Sequence, residues 1–153
     1  MALLTVFLTG GQAEEMANYY ANVFPDGEVT DIFRTPGPDG DDMVVTASIR
    51  VNDTPILLIN GPQHTPNESC SQMINCPTQE EVDHFWNHFV GDGGEEGMCG
   101  WCKDKFGFSW QVIPAGFMDC MSDPDPVRAG KAFQAMMTMK KLDIDALKAA
   151  MDS

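Results

Sequence analysis

The sequence predicts an α+β fold of two βαβββ-type modules followed by C-terminal helices. Three features carry that prediction. A helical signature recurs at an offset of 66 residues, strand-like segments flank both copies, and helical spacing without strands begins beyond Pro114.

In the first copy Leu3, Thr5, Phe7 and Thr9 alternate along a short strand that ends at Gly10-Gly11. The segment Ala13-Glu-Glu-Met-Ala-Asn-Tyr-Tyr20 follows, and Ala13, Met16, Ala17, Tyr20 and Phe24 fall on one face of an amphipathic helix. Glu28 to Thr35 reads as a second strand and the Pro/Gly/Asp run over 36–42 as a loop. Met43 to Val51 reads as a third strand, Asn52-Asp53 as a turn, and Pro55 to Ile59 as a fourth strand.

In the second copy the same offset sets Ser69, Ser71, Met73 and Asn75 against the first strand. Gln79-Glu-Glu-Val-Asp-His-Phe-Trp86 repeats the paired glutamates and paired aromatics. Val82, Phe85, Trp86, Phe89 and Val90 form its apolar stripe, which reads as core, and Thr78 with Glu81 forms a capping box. Gly91 to Gly94 breaks the helix. Met98 to Cys102 and Ser109 to Ile113 read as strands, with a third that is short or lost near Glu95. The expected divisions are a first module over 1–60, a linker over 61–68, an abbreviated second module over 69–116 and a helical tail over 117–153, all within one domain. In the tail, Asp125 caps a helix with Pro126 at its first position and with Phe133, Met136, Met137 and Lys140 at helical spacing. Asp143 caps a last helix that carries Ile144, Leu147 and Met151.

At 153 residues the chain is long enough to bury a core without staples. A net charge of −14 with scattered lysines and arginines repels phosphate backbones, so nucleic acid is not an expected partner. Five cysteines, with no basic leader segment or small-residue cleavage site at the N-terminus, fit a reduced cytoplasmic protein. No apolar run approaches the ~20 residues of a membrane helix, and no membrane association is expected.

The run Cys99-Gly-Trp-Cys-Lys-Asp-Lys-Phe-Gly-Phe-Ser-Trp-Gln-Val-Ile-Pro114 admits two readings. From the left it is a C-x-x-C, the mark of a redox pair or half a zinc site. From the right it is a turn centred on Gly107 that feeds an apolar strand. A redox pair draws its acidity from a helix N-terminus, whereas Cys99 and Cys102 fall in a strand-like segment. They therefore read as packed thiols.

Tyr20-Ala-Asn-Val-Phe-Pro25-Asp, Glu80-Glu-Val-Asp-His-Phe-Trp86, the run from Cys99 to Pro114, and Ala135-Met-Met-Thr-Met-Lys-Lys-Leu-Asp-Ile144 span nearly the whole chain. Together with the doubled module they are similar to the vicinal oxygen chelate (glyoxalase/bleomycin-resistance/dioxygenase-like) superfamily. Within it they resemble the PhnB-like family, often labelled 3-demethylubiquinone-9 3-methyltransferase. The resemblance implies that the strands of both modules curl into a cup holding the ligand, and that the chain forms a homodimer. It also implies metal ligands in some members, a His on a module's first strand and a Glu on its last. Here those positions hold Thr5 with Ser69 or Ser71, then Gln111, and by the repeat a residue near Leu57. None is anionic or an imidazole, so neither a metal nor another cofactor is expected there.

The expected ligand-binding residues are Thr5, Phe7, Leu57, Ser71, Met73, Trp101 and Gln111. Gln111 both donates and accepts, and its neighbour Trp110 must point to the opposite face. His64, in the linker, is the candidate acid–base catalyst, while His84 and His88, on the flank of the second helix, read as solvent-exposed. The methyltransferase label is disfavoured, since Gly10-Gly11 is a weak match to the Gly-rich turn that opens a Rossmann helix. The expected function is binding of a small organic molecule in a metal-free cup. The alternative is a glyoxalase-like enzyme, metal-independent or metal-dependent.

Overall fold

The computed structural model describes residues 4–153, and the chain divides into two units, Met1–Thr65 and Pro66–Ser153. Leu3, expected to open the first strand, lies outside the described residues.

The first unit contains β1 (Thr5–Thr9), α1 (Ala13–Val23), β2 (Glu28–Pro36), β3 (Asp42–Val51) and β4 (Thr54–Asn60). Its sheet runs β1-β4-β3-β2, with β1 and β4 parallel and the other pairs antiparallel. Asn52 and Asp53 both take positive φ, 46° and 56°, as a two-residue hairpin turn compatible with strand twist requires. Helix α1 buries Met16, Ala17, Tyr20 and Val23, and Tyr20 meets Phe7 edge to face at 6.3 Å. Gln12 supplies no side-chain cap to α1. Asn60 does that work from β4: its Oδ1 accepts from Ala13 N (2.9 Å) and from Thr9 Oγ1 (2.6 Å), while its Nδ2 donates to the Val44 carbonyl (2.9 Å).

The second unit contains β5 (Ser71–Cys76), α2 (Gln79–Gly91), β6 (Glu95–Glu96), β7 (Trp101–Lys103) and β8 (Ser109–Pro114), in sheet order β5-β8-β7-β6. Only β5 and β8 run parallel among its described pairs. The capping box forms, with Glu81 N donating to Thr78 Oγ1 at 3.2 Å. Val82, Phe85, Trp86 and Phe89 are buried, and Phe89 stacks on Trp110 at 4.6 Å. The abbreviated strand is the two-residue β6.

The strand expected from Met98 begins instead at Trp101. Cys99 and Gly100 have φ of 59° and 84°, which turns their amides out of the ladder to donate to the carbonyls of Met139 (2.8 Å) and Lys140 (2.7 Å). The same clip explains why Lys140 is not on the helix expected to carry it. That helix, α4 (Pro126–Met136), stops at Met136, and the following segment leaves helical geometry to meet residues 99–100. The caps are as read: Asp125 Oδ1 accepts from Val127 N, and Asp143 Oδ1 accepts from Ala146 N at the start of α5 (Ile144–Met151). A short α3 (Phe117–Met121), not foreseen, completes a small apolar cluster with Cys120, Ala132, Leu147 and Met151. Gln79 ties this tail to α2, donating to the Leu142 carbonyl (2.9 Å) and accepting from Ile144 N (3.2 Å).

The turn from β7 to β8 is organised by Asp104, which is 2% exposed. Its Oδ1 accepts from the amides of Phe106 (2.9 Å) and Phe108 (3.1 Å), and its Oδ2 from Trp110 Nε1 (2.8 Å). Gly107, at φ 85°, closes the turn by donating to the Asp104 carbonyl. Replacing Asp104 with alanine removes the shared acceptor of all three hydrogen bonds. The expected loss is about 2–4 kcal/mol of stability in denaturant titration, with a red shift of Trp110 emission.

Candidate functional site

In both units one face of the sheet carries the helix and the other does not. In the first unit Phe7, Thr9, Ile56 and Leu58 lie on the helix side and are buried. Val6, Leu8, Leu57 and Ile59 share the helix-free face, where Val6 is 49% exposed and Phe33 of β2 is 54% exposed. Leu57 is therefore placed on the helix-free face. Thr5 and Phe7, expected beside it in the ligand wall, lie on the opposite side, and Phe7 packs on Tyr20.

The physical reason is one residue of loop. Between β1 and α1 the chain has Gly10, Gly11 and Gln12, with Gly11 at φ 101°, whereas between β5 and α2 it has Pro77 and Thr78 alone. Aligning the two helices without a gap sets the two strands one residue out of step, and a one-residue slip exchanges the faces. Matched at the strand ends, Val6 corresponds to Met73, and Leu57, its cross-strand partner, corresponds to Gln111, the partner of Met73.

In the second unit the helix-free face carries Ser71 and Met73 of β5, Ser109 and Gln111 of β8, and Trp101 and Lys103 of β7. The four residues read from the sequence in this half thus share one face, and Trp110 takes the other, against Phe89. Gln111 Nε2 donates to Ser71 Oγ at 2.8 Å. The free valences of the pair are the Gln111 carbonyl oxygen, its second amide proton and the Ser71 hydroxyl proton, a neutral donor–acceptor set. Next to it is a recess lined by Trp101, Lys103, Ser109, Glu68 and Glu95. Lys103 Nζ bridges to Glu68 at 2.6 Å, and that hydrogen bond holds the Glu68 carboxyl below its usual range and raises the Lys103 ammonium. Ser109 is 4% exposed, and its Oγ has no hydrogen-bond partner among the described residues. Ser109 and Lys103 were missed in the sequence. The available signal was alternation: once Gln111 is placed, the residue two before it must share its face.

His64, the candidate catalyst, is exposed on the irregular segment after β4. His84 is exposed, but His88 is partly buried, and that burial lowers its pKa. Among the described residues no three His, Cys, Asp or Glu side chains converge as metal ligands. In the second unit Gln111 and Ser71, at positions where the resemblance implies metal ligands, are hydrogen-bonded to each other as a neutral amide and hydroxyl. A side chain on Gly10 would meet Gln63 at 3.1 Å, and the first amide of α1 is taken by Asn60.

Cys99 and Cys102 lie in different settings. Cys102 is buried on the helix side of β7, and burial pushes its thiol up to about 12, as it does for Cys76. Both thiols keep their protons in the folded chain where unfolded thiols ionise, near pH 9, so unfolding releases protons. Stability is expected to fall as pH rises from about 9 toward 12, by up to about 1.4 kcal/mol per pH unit per thiol, in urea titrations at stepped pH. At pH 8 these two buried thiols should alkylate far more slowly than the exposed thiol of Cys70, as peptide mapping after iodoacetamide treatment would show.

Among the described residues no helix is long and apolar enough to cross a membrane. The chain matches the family described as 3-demethylubiquinone-9 3-methyltransferase over residues 2–113, which leaves α3, α4 and α5 beyond the match. No curated protein shows significant similarity. Among solved structures, a PhnB protein from Bacillus cereus is 26% identical with a TM-score of 0.66, the alignment covering 75% of this chain and 100% of that one. Protein PA1353 from Pseudomonas aeruginosa is 18% identical with a TM-score of 0.64, covering 74% and 97%. The fosfomycin resistance protein FosX of Listeria monocytogenes, in complex with Mn(II) and 1S,2S-dihydroxypropylphosphonic acid, is 10% identical with a TM-score of 0.54, covering 74% and 90%, a likeness of fold alone. With the doubled module in place, the chain belongs to the PhnB-like family described as 3-demethylubiquinone-9 3-methyltransferase.

Proposed function

We propose that this protein binds a small organic molecule on the helix-free face of its second sheet. Trp101 and Met73 supply apolar surface, the Gln111–Ser71 pair orients a neutral polar group, and Ser109 receives a hydrogen bond in the recess. The observation that carries this reading is the buried Ser109 hydroxyl without a partner, since a polar atom so placed is costly unless something completes it. The family's label names methyl transfer; the role proposed here is binding alone. The Gln111 amide and Ser71 hydroxyl are neutral and already paired with each other, so the ligand is proposed to bind there without a divalent metal.

Native mass spectrometry of gently purified protein, followed by a thermal-shift screen of small neutral aromatics and amides, tests the reading. A retained mass or a stabilising compound is expected, with Trp101→Ala and Ser109→Ala each weakening it about tenfold. Unchanged affinity in both variants would refute the site. We propose a second copy of the chain as the protein partner. Apolar exposure at Val6 (49%), Leu8 (39%) and Phe33 (54%) supports this, and the expected outcome is a dimer mass in sedimentation at micromolar concentration.

A further inference from the structure

We propose that the recess on the helix-free face of the second sheet takes a protonated amine, so that the ligand is a small organic monocation. This rests on the binding face proposed above and adds the charge of the group that enters it. Register sets one row of side chains across three strands: Ser109 of β8 is opposite Lys103 of β7, and Lys103 is opposite Glu95 of β6. Directly opposed residues share a face, so all three line the recess, together with Trp101 and Glu68.

The charges in that recess do not balance. Lys103 Nζ is 2.6 Å from Glu68 and neutralises it. Glu95, exposed on the edge strand, has no hydrogen bond or salt bridge among the described residues. Glu96 is opposite Cys102, on the helix side, and is taken by Lys140 at 2.6 Å. Glu68 and Glu95 against Lys103 leave one negative charge in excess, and the chain's net charge of −14 repels anions further. The second demand is that of Ser109, which is 4% exposed and whose Oγ has no hydrogen-bond partner among the described residues. An alcohol could donate to Ser109 and leave Glu95 uncompensated, whereas an ammonium donates and supplies the missing charge. Trp101 lines the same recess, and indole is the aromatic group that a cation favours most. The recess holds about 130 Å³, roughly tenfold the space one water requires and less than a drug-sized ligand fills. It therefore takes the amino end, while the body of the molecule lies along Met73 and the Gln111–Ser71 pair.

The test is calorimetric titration of the full chain at pH 7 with 2-phenylethylamine, its neutral isostere 2-phenylethanol and the anion phenylacetate. The amine is expected to bind about tenfold more tightly than the alcohol, with phenylacetate the weakest. Glu95→Gln should bring the amine down to the affinity of the alcohol and leave the alcohol unchanged, Ser109→Ala should weaken both, and Glu80→Gln, exposed on α2, should alter neither. Neither recess substitution removes a hydrogen bond, so both variants should melt as the parent does. An alcohol that binds as tightly as the amine, or an amine indifferent to Glu95→Gln, overturns the charge assignment, and continued sensitivity to Ser109→Ala then leaves the binding face standing. Binding that ignores Ser109→Ala, or no binding by any of the three compounds, overturns both.

Discussion

The buried carboxylate of Asp104 is the interaction on which the second unit's site depends. Two backbone amides and the Trp110 indole converge on it within 3.1 Å, so the cost of burying a charged group is offset by charge-assisted hydrogen bonds. The amide bonds set the turn, and the turn sets the register of β7 against β8. The indole bond commits Trp110 to the helix side. Because neighbours on a strand alternate, the same commitment turns Ser109 and Gln111 to the other face, beside Trp101 and Ser71. A structural side chain on one face thereby orients the chemistry on the other.

Two amide side chains do comparable work at the helix starts. Asn60 caps α1 from the end of β4, and Gln79, on the first turn of α2, holds the backbone that leads into α5. Both satisfy helix-terminal or loop backbone groups through tertiary contact, and both act away from the helix-free faces of the sheets. Those faces differ in character. The first unit offers alkyl and aromatic surface at Val6, Leu57 and Phe33, and the second a mixed surface of Trp101, Met73, Gln111 and buried Ser109. The polar chemistry available for recognition is concentrated in the second.

Much of this was legible in the chain. The paired glutamates and aromatics of α1 and α2, the caps at Thr78, Asp125 and Asp143, the Asn52-Asp53 hairpin and the shortened strand near Glu95 all follow from local signals. Local signals were blind where a partner far along the chain decided the geometry. Met98 to Cys102 has strand composition, yet the carbonyls of Met139 and Lys140 draw residues 99 and 100 into left-handed conformations and delay β7. Thr5 and Phe7 were assigned to the ligand wall because the helices align without a gap, and the extra residue at Gly10-Gly11 leaves no mark in an amphipathic stripe.

By itself the sequence determined the element order, the doubled module and the capped helices, because periodicity and capping are properties of short segments. The tertiary structure alone decided which face each strand presents and that Ser109 joins Gln111 and Ser71. Those outcomes depend on register and loop length, where a single residue exchanges the two faces of a strand and composition records nothing of it.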